Sequence, residues 1–147
     1  MVFITGGTAQ GKLRYVQETY GVLQAETADA AASASRLLRD ADAWHHVRCV
    51  IYYQALIRQI LAEGADPEEY TARLIDAHPD LIIVMEEIGC GIVPLEKEER
   101  IWREACGRCG CLIASRADQV IRLVCGIPTV LREDGSSGCG AVKDCRP

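Results

Sequence analysis

The sequence lacks an excess of positive charge, a long hydrophobic run and a secretion signal. Its 16 Lys and Arg residues are outnumbered by 21 Asp and Glu residues, which gives a net charge of −5. Nucleic-acid-binding proteins normally present a basic face, so we expect no nucleic-acid partner. No segment approaches the roughly 20 apolar residues of a membrane span, and the N-terminus has no basic region followed by an apolar stretch. We therefore expect no membrane span and a cytoplasmic location.

Cysteine, in contrast, is abundant, with eight residues in the chain. Structural disulfides are not expected without an export signal. Cys106, Cys109 and Cys111 lie close together, and Cys106-x-x-Cys109 has the spacing of a metal site. A zinc site normally needs a second such pair, and Cys139 and Cys145 lie in a Gly/Ser-rich tail. We expect buried or incidental thiols that behave as small apolar residues; a zinc site is the alternative, which metal analysis would reveal.

The chain is organised around residues 6–12, the phosphate loop, which reads G-x-x-x-x-G-K. The apolar run Val2-Phe3-Ile4 before it predicts a buried strand, and residues 13–20 after it predict a helix. Glycines let backbone N–H groups approach phosphate oxygens, the helix N-terminus adds partial positive charge, and Lys12 meets the outer phosphates. Leu13 stands where Ser or Thr would bind Mg²⁺. The predicted nucleotide-binding residues are Gly6, Gly7, Thr8, Ala9, Gln10, Gly11, Lys12 and Leu13.

Strands separated by helices predict an α/β fold, a P-loop NTPase-like three-layer domain with a mostly parallel sheet. We place this domain at residues 1–132 and predict a disordered tail at 133–147. The apolar run 81–85 predicts a central strand, and residues 119–125 predict the last strand. Residues 44–61 fit either a strand followed by a helix or a longer helix, and we favour mostly helix.

Ligands in such sheets bind beyond the carboxyl ends of the strands. The phosphate loop, Glu86-Glu87 and Cys125-Gly126 all follow predicted strands, so we expect them along one rim of the sheet. A carboxylate there could hold a Mg²⁺-bound water or position an acceptor hydroxyl. We assign this catalytic and metal-binding role to Glu87; the alternative is a polar residue that only ends a strand.

The segment E-E-I-G-C-G-I-V-P at residues 86–94 resembles the N-E-V-G-x-G-I-V-P signature of the adenosylcobinamide kinase / adenosylcobinamide-phosphate guanylyltransferase family. The stretches Gly107-Arg108, Ala117-Asp118 and 124–128 are similar to that family's G-R, A-D and V-x-G-I-P. The T-G-G and G-K pieces of residues 5–12 are similar to its phosphate loop.

The resemblance implies one nucleotide site that serves two reactions of cobalamin biosynthesis. A nucleoside triphosphate, ATP or GTP with Mg²⁺, phosphorylates the aminopropanol arm of adenosylcobinamide, a corrinoid. GTP then transfers GMP to that phosphate through a guanylylated histidine. The resemblance also implies a homo-oligomer.

Glu86 differs from the Asn of the family signature and could equally face solvent, and three further features differ from the family pattern. Leu13 replaces its Ser, and no H-x-x-x-R-P segment carrying the nucleophilic histidine is found in the shorter middle of the chain. The family's acidic residue before a Cys, in the strand before a helix, falls on Arg48-Cys49. A short form of the family would therefore keep nucleotide binding and lose or rearrange one reaction.

Three further side chains are candidates for the chemistry. Lys12 is predicted to neutralise charge that develops on the transferred phosphate. His46 is the candidate nucleophile, since neutral imidazole attacks phosphorus; the alternative is a surface histidine. Arg108, in the matching Gly-Arg pair, is a candidate phosphate ligand, although the acidic residues around it also fit a salt-bridged solvent face.

Three functional hypotheses remain open. The first is a compact cobinamide kinase and guanylyltransferase, and the second is a catalytically degenerate relative that binds nucleotide without turnover. The third is a P-loop kinase for another small metabolite. Nucleotide-dependent stabilisation, covalent GMP labelling and a substrate panel would separate them.

Overall fold

The computed structural model describes residues 1–92 and 94–133. Six strands are present in these residues: β1 Val2–Gly6, β2 Thr27–Asp29, β3 Cys49–Ile51, β4 Ile82–Val84, β5 Gln119–Val124 and β6 Ile127–Glu133. Five α-helices connect them: α1 Lys12–Tyr20, α2 Ala30–Arg39, α3 Tyr53–Ala62, α4 Pro67–Ala77 and α5 Lys97–Arg116. Short 3₁₀ helices at Gln24–Glu26 and Ala41–Trp44 complete the described secondary structure.

The six strands form one sheet in the order β2-β3-β4-β1-β5-β6. β1 pairs in parallel with β4 on one side and β5 on the other, and β3 joins β4 to β2 in the same direction. Only β6 runs antiparallel, as a hairpin partner of β5. The predicted α/β fold with a mostly parallel sheet is therefore confirmed.

The core lies on both faces of the sheet, which gives the three layers. One face packs through Phe3, Val50 and Ile83 onto α2, α3, α4 and α5. The other face packs through Ile4 and Ile121 onto α1. Because strand side chains alternate between faces, the unbroken apolar runs of β1, β3 and β4 fit a sheet that is covered on both sides.

Local sequence signals explain several element ends. α1 ends at Gly21, whose φ of 62° is the left-handed conformation that glycine adopts at low cost. α4 begins after Asp66, whose carboxylate accepts from the amides of Glu68 and Glu69, and Pro67 occupies the first helical position.

Two of the predicted elements were wrong. Residues 44–61 are not mostly helix, because Cys49–Ile51 forms the buried strand β3 and only the part from Tyr53 onward is helical. The predicted last strand, residues 119–125, is followed by another, since Gly126 has a φ of 78° and turns the chain into β6. β5 is therefore an internal strand.

The first residue of the predicted tail, Glu133, ends β6. The remainder, residues 134–147, lies outside the described residues. Across residues 1–92 and 94–133, no helix has both the length and the apolar character needed to cross a bilayer.

Candidate functional site

The phosphate loop turns sharply between β1 and α1. Gly6 has a φ of 144°, and a side chain there would collide with the carbonyl oxygen of Leu123 on β5. Gly11 has a φ of 81° and precedes the first helical residue, Lys12. In the described part of the chain, no backbone acceptor outside the helices and strands is recorded for the N–H groups of residues 8–10. The loop can therefore offer amides and a helix N-terminus to an anion.

Lys12 is buried, with 7% of its surface exposed. Its Nζ donates to the carbonyl oxygens of Gly7 at 2.6 Å and Gly6 at 3.2 Å. It also lies 3.6 Å from Oε1 of Glu86. Burial lowers the pKa of Lys12 below its usual 10.5, while Glu86 and more weakly Glu87 act to raise it. The ammonium group is thus held inside the loop by oxygens that a phosphate could replace.

Glu86 follows β4 at the same rim, and its side chain is 15% exposed. Oε2 accepts hydrogen bonds from Oγ1 of Thr8 and Nε2 of Gln54, both at 3.2 Å. The backbone N–H of Glu86 donates to Oε1 of Gln54 at 3.1 Å. The carboxylate is therefore fixed through one oxygen, and its other oxygen faces Lys12.

Glu87 also emerges at this rim, since its N–H donates to the carbonyl of Gly6 at 3.2 Å. Its carboxylate, however, forms a bidentate ion pair with Arg122 of β5, at 2.7 and 2.8 Å. Bidentate pairing engages both carboxylate oxygens. The structure thus brings both glutamates to the loop, but it is Glu86, not Glu87, whose carboxylate lies beside Lys12.

A cleft of about 160 Å³ opens beside the loop. Residues 9–12 of the phosphate loop, Leu13, Arg14 and Glu86 line one part of it, and Ile51, Tyr52 and Val84 line another. The side chain of Leu13 packs against the apolar cluster between α1 and the sheet. Leu13 therefore provides an apolar contact where the Ser or Thr of the usual loop provides a metal ligand.

The structure does not bring His46 to the loop. His46 comes before β3, at the amino-terminal ends of the parallel strands, whereas the phosphate loop lies at their carboxyl ends. It lines a second cleft with Arg36 and Asp42. Arg48 lies at the same amino-terminal end and pairs with Glu26. At the carboxyl end of β3, Tyr52 lines the cleft beside the phosphate loop.

Arg108 is also placed away from the cleft. It lies on α5, where its guanidinium pairs with Glu68 of α4 and with Glu104, each at 2.7 Å. These are the ion pairs of a solvent-exposed face, the alternative considered for this residue.

The clustered cysteines of α5 differ in exposure. Cys106 and Cys109 are buried in the core, whereas Cys111 is exposed. Burial raises the pKa of Cys106 to about 12 and that of Cys109 to about 11. Among residues 1–92 and 94–133, no cluster of three or more His, Cys, Asp or Glu side chains is arranged to hold a metal ion.

Two contributors to the site were missed by sequence reasoning. Gln54 reads as one polar residue in an amphipathic helix, and only the packing of α3 against β4 shows that it touches Glu86. Arg122 is a charged residue within an otherwise apolar strand, and the sequence alone shows that it is unusual. Its pairing with Glu87 depends on the order of the strands in the sheet and could not be predicted.

Taken together, a strand, a glycine-bounded loop that ends in a buried lysine, and a carboxylate on the adjacent strand define a phosphate-binding-loop α/β domain. The model of the family described as cobinamide kinase / cobinamide phosphate guanyltransferase matches residues 52–131. The chain belongs to this family, which acts on cobinamide and nucleoside triphosphates in cobalamin biosynthesis. The matched segment contains Glu86 and Glu87, whereas the phosphate loop lies before it. A search of the curated proteins gave no match.

Proposed function

We propose that the protein binds ATP or GTP with Mg²⁺ in the cleft beside the phosphate loop and phosphorylates the hydroxyl of a cobinamide. The observation that carries this proposal is the Lys12–Glu86 contact of 3.6 Å at the rim where the loop amides lie. Positioning and electrostatic stabilisation supply most of the catalysis of phosphoryl transfer, and this arrangement offers both.

The loop residues would bind the nucleotide phosphates. The amides of residues 8–10 would donate to phosphate oxygens, and Nζ of Lys12 would exchange the carbonyls of Gly6 and Gly7 for the outer phosphates. During transfer, the acceptor hydroxyl oxygen bonds to the terminal phosphorus as the bond to the bridging oxygen breaks. The hydroxyl proton leaves to solvent or to a carboxylate at the rim, and Lys12 stabilises the negative charge on the phosphoryl oxygens.

Mg²⁺, when bound, would neutralise phosphate charge. It is commonly bound through one or two carboxylates together with phosphates and waters, so a single carboxylate beside the phosphates suffices. Glu86 fits this role, because it is largely buried and directs Oε1 towards Lys12. We therefore move the metal-binding role from Glu87, which is engaged by Arg122, to Glu86.

We favour the kinase reaction over guanylyl transfer for this chain. Guanylyl transfer through histidine needs an imidazole at the nucleotide phosphates, and His46 lies at the opposite edge of the sheet. The other two histidines, His45 and His78, lie beside His46 and before the amino end of β4, respectively.

A second candidate function is nucleotide binding without turnover. Leu13 favours it, because this side chain packs into the apolar cluster and removes a hydroxyl ligand of the metal. In that case nucleotide would still bind at Lys12, and cobinamide would not be phosphorylated.

The test is turnover with purified protein. ATP or GTP is mixed with Mg²⁺ and cobinamide, and nucleoside diphosphate and cobinamide phosphate are measured together. The proposal expects both products in wild type, their loss in Lys12→Met, and wild-type rates in the matched control Lys97→Met, at an exposed lysine of α5. Nucleotide binding without product formation would overturn the kinase proposal and support the second candidate function, nucleotide binding without turnover. Product formed only with other small hydroxyl compounds would support a different metabolite kinase.

A further inference from the structure

Gln54 is one of the few polar side chains buried in the described residues, with 6% of its surface exposed. It lies in the first turn of α3, close to the carboxyl end of β3. Its amide makes two opposed hydrogen bonds with one residue: Nε2 donates to Oε2 of Glu86 at 3.2 Å, and Oε1 accepts from the Glu86 amide at 3.1 Å. A buried amide whose two ends engage the same residue fixes that residue in both position and orientation.

The backbone of Gln54 is held as well. Its carbonyl accepts a hydrogen bond of 2.8 Å from the indole Nε1 of Trp102 on α5. The guanidinium of Arg58, one turn further along α3, lies 4.2 Å from the centre of the Trp102 ring. Gln54 therefore sits on a rigid support made of two packed helices.

The two oxygens of Glu86 are consequently not equivalent. Oε2 accepts from Gln54 and Thr8, whereas Oε1 faces Lys12 at 3.6 Å. Without the amide, the carboxylate could rotate about its terminal torsion and direct either oxygen, or neither, towards the loop.

We propose that Gln54 is a positioning residue that holds Glu86 so that Oε1 is presented to the metal–nucleotide complex. This proposal rests on the function proposed above. Removing a residue that orients a metal-binding carboxylate typically lowers the metal affinity 10- to 100-fold. No contact between Gln54 and substrate is required, because it acts through Glu86.

The experiment measures the affinity for ATP and for GTP, each in the presence of Mg²⁺ and in the presence of EDTA. For each nucleotide, the affinity with Mg²⁺ is divided by the affinity with EDTA. Gln54→Met keeps the size of the side chain and removes its hydrogen bonds. We expect the ratio to fall at least about tenfold. The matched control is Gln59→Met on the same helix, where Gln59 bonds Glu63 away from the cleft, and it should keep the wild-type ratio.

A double-mutant cycle separates positioning from packing. If Gln54 acts through Glu86, then Gln54→Met added to Glu86→Gln lowers the ratio no further, because the two changes remove one function. A purely structural role would lower the free energy of unfolding of Gln54→Met and leave the ratio unchanged. Should Gln54→Met not fold by circular dichroism, Gln54→Asn, which is too short for both bonds, is expected to show the same loss.

The two proposals fail in different ways. Wild-type protein that binds neither ATP nor GTP overturns the proposed function together with the role of Gln54. Wild-type protein with a clear Mg²⁺-dependent ratio that Gln54→Met retains overturns the role of Gln54 alone.

Discussion

Oε1 of Glu86 lies 3.6 Å from Nζ of Lys12, so the end of β4 meets the phosphate loop through a nearly buried ion pair. The pair neutralises Lys12 inside the protein, and a nucleotide must draw the ammonium group away from it. A cation beside the carboxylate can balance that charge when the lysine moves to phosphate. This relationship predicts that the two glutamates at the rim have different roles.

Glu86→Gln and Glu87→Gln therefore should differ. Glu86→Gln removes the charge that faces Lys12, and we expect Mg²⁺-dependent nucleotide affinity to fall about 10- to 100-fold. Glu87→Gln breaks a partly exposed pair with Arg122, which is worth at most about 1 kcal/mol, so nucleotide affinity should change little. Titration calorimetry of both variants tests this, and a larger loss in Glu87→Gln would return the metal-binding role to Glu87.

Lys12 gives the protein a defined pH dependence. Burial lowers its pKa in the folded state below 10.5, so the folded protein loses this proton at lower pH than the unfolded chain does. Between these two pKa values the unfolded state binds more protons, and stability rises with pH. Burial of the charged Lys12 lowers the free energy of unfolding. This loss is fully present below the pKa of Lys12 in the folded state and disappears as the pH approaches 10.5.

Urea denaturation of wild type and Lys12→Met at successive pH values measures this effect. The free energy of unfolding of wild type should rise relative to that of Lys12→Met as the pH increases from neutral towards 10.5. Subtracting the variant removes contributions from tyrosines and other groups. A difference that stays constant, or that falls with pH, would show that burial does not dominate the pKa of Lys12.

Gly6 and Gly7 are adjacent and should respond differently to alanine. Gly6→Ala places a side chain against the Leu123 carbonyl at a φ of 144°, and backbone strain of this kind alone costs ~1–3 kcal/mol. Gly7→Ala meets only Cγ of Gln10 at 3.5 Å, an ordinary contact. Thermal unfolding should show a marked loss for Gly6→Ala and little change for Gly7→Ala; equal stability would mean that the loop does not pass this close to β5.

The rate of alkylation of Cys125 should show whether a nucleotide occupies the phosphate loop. It is exposed at the end of β5, and its N–H donates to the side-chain oxygen of Gln10 in the loop. We expect ATP or GTP to slow alkylation of Cys125 and to leave alkylation of Cys111, exposed on α5, unchanged. Peptide mass spectrometry resolves the two sites, and equal rates at Cys125 with and without nucleotide would place the ligand elsewhere.

The buried thiols serve as internal references in the same experiment. Burial raises the pKa of Cys49 and Cys106 to about 12, and these thiols should resist alkylation until the protein unfolds.

The parallel sheet and the rim of the site could be predicted from sequence because apolar runs and glycine-bounded turns are local signals. Val2–Ile4 followed by a glycine loop fixes a strand–loop–helix unit, and strand ends in a parallel sheet share an edge. β2 and β6 were missed because β2 has three residues and β6 is exposed along its whole length. Neither carries a periodic apolar pattern.

The pairing of site residues could not be predicted in the same way. Which glutamate contacts Lys12 depends on the exact residue at which β4 ends. A shift of one residue would exchange the directions in which the side chains of Glu86 and Glu87 point. The distance of His46 from the loop depends on where β3 begins, which the apolar run 47–51 left ambiguous. The homo-oligomer implied by the family resemblance stays a prediction.

The most direct measurement is calorimetric titration of ATP and GTP, with Mg²⁺, into wild type, Lys12→Met and Lys97→Met. We expect one nucleotide to bind per chain in wild type and Lys97→Met, and binding to be lost in Lys12→Met. Absence of binding in wild type, or equal affinity in Lys12→Met, would contradict it.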